Sequence, residues 1–104
     1  MNTISVEELK RKLDAGESVN LLDVREDYER AAFNIGGIHI PIGKIQLFET
    51  DPIKEWKEKE FVVYCRSGNR SGMAAMILQQ AGYQNPINLT GGLLAWVEKY
   101  GEEI

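Results

Sequence analysis

The chain lacks the residues that build several common kinds of site. Among its 104 residues there is one cysteine, Cys65, and one histidine, His39. A lone thiol excludes an internal disulfide. With a single imidazole beside it, the chain has no set of soft ligands for zinc, so neither a metal site nor a cofactor is expected. Basic excess is also missing. The formal charge is -4, which argues against a general nucleic-acid or membrane-surface binder. No apolar run approaches the length of a membrane span. The opening "MNTISVEELKRKL" has no basic region followed by an apolar core, so no secretory signal is read there and a cytoplasmic location is expected. No repeat, low-complexity tract or internal linker breaks the sequence, and its length is that of one small domain, residues 1–104.

What is present is alternation. Ser5 and Glu8 form a capping-box pattern, followed by Val6, Leu9 and Leu13 on one helical face and Gly16 as a stop. "VNLLDV", Val19 to Val24, has strand length. "REDYERAAF" reads as a turn into a short helix, and Ile38 to Ile40 is a brief β-branched segment closed by Pro41. From Lys44 to Lys59 the pattern is helical but irregular, interrupted at Pro52, with Trp56 facing inward. Phe61 to Tyr64 is apolar throughout, as in a strand covered on both faces. Ala74, Ile77, Leu78 and Ala81 then recur at helical spacing up to Gly82. Pro86 to Thr90 is the last strand candidate, and "GGLLAWVEKYG" the last helix. Short strands alternating with amphipathic helices imply an α/β fold with a mainly parallel sheet and helices on both faces.

One junction carries chemistry. In open parallel sheets, ligands bind at the carboxyl ends of strands, and Cys65 stands at such an end. Between it and the next helix run Arg66, Ser67, Gly68, Asn69 and Arg70. So short a segment must curl, and Gly68 and Asn69 are the residue types that tolerate positive φ. A tight curl into a helix N-terminus turns backbone N–H groups inward as an anion-binding nest. Arg66 and Arg70 add two positive charges. A thiolate at the centre is stabilised relative to the thiol, which makes Cys65 a nucleophile at neutral pH. A free cysteine at a strand end is more often packing than chemistry. Packing, however, does not call for two arginines and a Gly-Asn turn.

These residues resemble the single-domain rhodaneses, a sulfurtransferase family. "CRSGNRS" matches that family's active-site loop, "LLDVRE" its second-strand motif, and "LTGGLLAWVEKYG" its C-terminal signature. "FNIGGIHIPI" resembles the family's Gly-His-Ile-Pro segment but is one residue shorter. Phe33-Asn34-Ile35-Gly36 replaces the usual residues, so the family histidine's role does not carry over, and His39 is expected to be structural or solvent-facing. The resemblance implies a five-stranded sheet and a two-step reaction. Cys65 takes the outer sulfur of a donor such as thiosulfate, and a thiol or cyanide then accepts it, with a protein acceptor also open. Arg66 and Arg70 would hold the donor's sulfonate, and residues 66 to 70 would donate N–H groups to the persulfide. Ser71 would either offer its hydroxyl to the sulfur or cap the helix. With no second cysteine, the persulfide must be discharged by an external acceptor.

Other readings are a persulfide carrier, a cysteine phosphatase or arsenate reductase, and a non-catalytic binding module. Phosphatases with a comparable loop need one residue more between cysteine and arginine than the four here. Asp23 and Asp27 are general-acid candidates by type only, and Asp23 beside Arg25 reads better as a structural ion pair. Binding modules of this kind often lack the cysteine. Nothing in the sequence signals an oligomer, so a monomer is expected.

Overall fold

The computed structural model describes residues 2–102. Five strands, β1 (Asn2–Ile4), β2 (Leu21–Asp23), β3 (Ile38–His39), β4 (Glu60–Tyr64) and β5 (Asn85–Leu89), form one sheet in the order β1-β5-β4-β2-β3. Every pairing is parallel. The α/β expectation therefore holds. The central strand β4 is the most apolar, because it is covered on both sides. Phe61, Val63 and Cys65 face one core, and Val62 and Tyr64 the other.

The helices divide accordingly. The first core packs beneath α3 (Ile42–Gln46), a 3₁₀ segment (Asp51–Trp56) and α4 (Asn69–Gln80), through Ile45, Ile53, Ala74 and Leu78. The second packs against α1 (Val6–Asp14) and α5 (Gly92–Tyr100), through Val6, Leu9, Leu93 and Trp96. The remaining helix, α2 (Asp27–Ala32), buries no residue; it follows β2 at the rim of the sheet. Trp56 and Trp96 are packing residues, as their spacing suggested. Trp56 tilts against Phe61 at 5.3 Å, and Trp96 meets Tyr100 edge-on at 5.3 Å. The capping box at Ser5 and Glu8 is present in full.

The sequence reading differs from the structure at the start of the chain. β1 has no counterpart in it. Its three residues bury only Ile4, too few to show a period, and its partner β5 lies at the far end of the sequence. The strand read over Val19 to Val24 is shorter, Leu21–Asp23, although Asn20 and Val24 still make flanking ladder bonds to Val62 and Tyr64. The irregular Lys44 to Lys59 region resolves into α3 and the 3₁₀ segment. Among the described residues, no helix is long and apolar enough to cross a membrane.

Candidate active site

β4 ends at Tyr64 and α4 begins at Asn69, so the chain has four residues, 65–68, in which to turn. It does so through Gly68, whose φ of +100° is the left-handed conformation that favours glycine. Asn69, the other residue type tolerant of positive φ, already lies in the helix. The turn brings donors onto the Cys65 sulfur from three directions. Sγ accepts from the Gly68 N–H at 3.1 Å, the Ser71 N–H at 3.4 Å and the Ser71 hydroxyl at 3.4 Å. Cys65 is fully buried, and burial alone pushes the thiol up. The Ser71 hydroxyl and the N–H groups of Ser71, Gly68 and Ser67 outweigh it, and the thiol is held below its ordinary value. Ser71 thus stands at the sulfur, within the first turn of α4, and Gly68 takes the N-cap place.

Two further elements hold this turn. Asn88 on β5 shares the single Ser71 hydroxyl proton with the sulfur, its Oδ1 lying 2.5 Å from the hydroxyl oxygen, and donates to the Gly68 carbonyl at 3.2 Å. The first turn of α5 sits against the loop backbone, with Leu93 and Leu94 N–H donating to the carbonyls of Cys65 and Arg66 at 2.9 Å each. The approach is so close that a Cβ at Gly92 would lie 2.6 Å from the Arg66 and Cys65 carbonyl oxygens. That is what Gly92 is for, whereas a Cβ on Gly91 would meet Ala95 of the same helix at 2.7 Å.

The arginines part company. Arg66 is exposed and makes no ion pair among the described residues. Arg70 makes a bidentate pair with Glu29 of α2, Nη1 to Oε1 at 2.6 Å and Nη2 to Oε2 at 2.9 Å. Hydrogen bonding from Arg70 holds the Glu29 carboxyl down at about 2. The Ser67 and Asn69 side chains are exposed on the outer side of the turn. Sequence reasoning missed Glu29 and Asn88. Neither sits in a local motif, and each reaches the loop from another element.

The aspartates are not at the sulfur. Asp23 is buried and holds Arg25, Nε to Oδ1 at 2.9 Å and Nη2 to Oδ2 at 2.8 Å, the structural pair expected from their adjacency. Arg30 reaches the same carboxylate at 3.5 Å, and also binds the Gly36 and Gly37 carbonyls and the Tyr64 hydroxyl. His39 makes a 2.7 Å hydrogen bond between Nε2 and the Arg25 carbonyl, a structural role. Among the described residues no group of acidic, histidine and cysteine side chains could hold a metal ion.

A parallel sheet with a buried thiol ringed by donors at a strand end defines an α/β domain with a cysteine at the centre of a donor-lined loop. Comparison with known proteins makes the class specific: residues 5–99 match the rhodanese-like domain, and the chain belongs to that family. It is 39% identical over 98 residues to YrkF of Bacillus subtilis, provisionally named a sulfur carrier protein, covering 92% of this chain and 51% of YrkF. The chain thus spans about half the length of that relative. It is 41% identical over 95 residues to YtwF of the same organism, provisionally named a sulfurtransferase, covering 89% of this chain and 87% of YtwF. Among solved structures, a rhodanese-related protein of Thermoplasma volcanium superposes with a TM-score of 0.80 at 33% identity, covering 96% of this chain and 94% of that one.

Proposed function

We propose that the chain is a sulfurtransferase in which Cys65 is the nucleophile. The observation that carries this reading is the sulfur itself, met by two backbone N–H groups and a hydroxyl that lower its pKa. In the first step the Cys65 thiolate attacks the outer sulfur of the donor. For thiosulfate, the new S–S bond forms as the old one breaks, and sulfite leaves with the bonding pair. Cys65 is left as a persulfide anion, whose charge the donors of the loop stabilise. In the second step a thiolate or cyanide attacks the terminal sulfur and restores the thiolate. Cys65 is buried, so the side chains around the loop must yield for each transfer. Arg66 meets the donor's anionic end, with Arg70 behind it and the amides of Ser67 to Ser71 as the cradle. No cofactor enters either step. The acceptor is a small thiol or a protein thiol in a reducing compartment such as the cytoplasm, since the chain has no second cysteine of its own.

The sulfur-carrier name of YrkF favours a second form of the same chemistry, in which the persulfide is handed to a partner protein. A phosphatase reading has less support. The gap of four residues between Cys65 and Arg70 is short for a phosphate, and Arg70 already holds a carboxylate.

The test is an intact mass measured under non-reducing conditions after incubation with thiosulfate. A one-sulfur adduct is expected on the parent protein and none on Cys65→Ser. An unmodified parent, or an adduct that survives in Cys65→Ser, overturns the reading.

A further inference from the structure

The loop supplies two arginines, but the structure leaves only one for a ligand. Arg70's guanidinium is taken by the Glu29 carboxylate in two hydrogen bonds. Glu29 is itself fixed, because Oε1 also accepts from the Glu26 N–H at 3.0 Å as part of the α2 capping box. The pair is partly shielded, with the Glu29 side chain 13% exposed and that of Arg70 33%. Beside the loop lies an open cavity of about 310 Å³. Four charged residues line it: Arg25, Glu29, Arg66 and Glu102. Arg25 is already matched by Asp23. The cavity flanking the loop at Arg66 is therefore close to neutral, although the loop sequence taken alone is doubly positive.

We propose that Glu29 is a specificity-determining residue that restrains the charge of the sulfur donor. By pairing with Arg70 it leaves Arg66, among the described residues, as the loop's one uncommitted cation, so the site favours a donor with a single negative charge over a dianion. This rests on the sulfurtransferase reading and names its substrate class. Glu29 touches neither the sulfur nor the reacting bond, and it acts through Arg70.

Thiosulfate and methanethiosulfonate separate the two charges cleanly. The second replaces one oxygen of the first by a methyl group, so it carries one negative charge where thiosulfate carries two. In both cases the Cys65 thiolate forms a bond to the outer sulfur. The leaving group, sulfite or methanesulfinate, departs with the electron pair of the broken S–S bond. Thiocyanate formation with cyanide as the common acceptor gives kcat/KM for each. The ratio of thiosulfate to methanethiosulfonate is taken within one protein, so loss of folded material cancels.

Glu29→Gln is expected to raise that ratio about tenfold over the parent, mainly through a lower KM for thiosulfate. Glu29→Ala repeats the charge removal, and Glu29→Asp, which keeps the charge, should return the ratio toward the parent's. A change under about threefold in both neutral variants overturns the inference while leaving sulfur transfer intact. If the parent turns over neither donor and Cys65 gains no sulfur, the underlying reading falls and this one falls with it.

Discussion

At the carboxyl end of β2, Asp23 is buried beneath Arg25 and Arg30, and almost every donor in reach is matched by a side-chain or carbonyl oxygen. At the carboxyl end of the neighbouring β4, Cys65 is equally buried, yet its surroundings are donors without a matching full charge. The two ends are adjacent in the sheet, with Asp23 opposite Tyr64 in register. One closes a charge by side chains and fixes the fold. The other aims main-chain dipoles at an atom able to become an anion. A saturated network is rigid and chemically idle. A set of donors converging on a weakly charged sulfur is a site that gains by ionisation or by binding an anion.

The contrast can be broken from either side. The largest effect is expected at β2. Asp23→Ala leaves Arg25 buried without its carboxylate and should cost about 3–5 kcal/mol, read from urea unfolding. In the protein that remains folded, the midpoint of Cys65 alkylation against pH should stay at the parent's value. A midpoint that moves along with stability would make the two strand ends a single unit. A smaller effect is expected at β4. Ser71→Ala removes one of the three donors to sulfur, so the alkylation midpoint should rise toward that of an ordinary thiol. Sulfur uptake from thiosulfate should slow by about tenfold, the scale of one hydrogen bond to a charged group. An unmoved midpoint would assign the lowered pKa to the amides alone. The smallest effect concerns the pair between the two regions. Glu29 titrates near 2 in the folded protein against an ordinary 4.5. Its stabilising contribution is therefore present above pH 4.5 and is lost as pH falls toward about 2. An acid titration of stability should show that component in the parent, and Glu29→Gln should lack it.

The sequence made the Cys65 loop readable because its parts are contiguous. An apolar strand, a cysteine, a glycine turn and a helix follow one another without a gap. Asp23 and Arg25 were readable for the same reason, standing two residues apart. Glu29 lies 41 residues from Arg70, and Asn88 lies 17 from Ser71; only the parallel sheet brings them together. Neither breaks a local pattern. Glu29 looks like one more solvated charge on a short helix, and Asn88 like a polar residue on a strand. The shortened Phe33–Gly36 segment was likewise unreadable in function. Its carbonyls turn out to accept from Arg25, Arg30 and the Tyr64 hydroxyl, which binds the segment to the β2 network.

The contact between α5 and the loop has a consequence for handedness of a simple kind. A peptide group is a plate with a carbonyl on one side and an amide on the other. The first amides of any helix have no partner within it. Here Leu93 and Leu94 use theirs on the carbonyls of Cys65 and Arg66. Each plate so gripped by its oxygen has its amide face turned the opposite way. The last helix thus works as a jig for the first two peptide groups of the loop, those carrying the Arg66 and Ser67 amides, and through the Ser67 N–H a distant stretch of chain helps to hold the Cys65 thiol down.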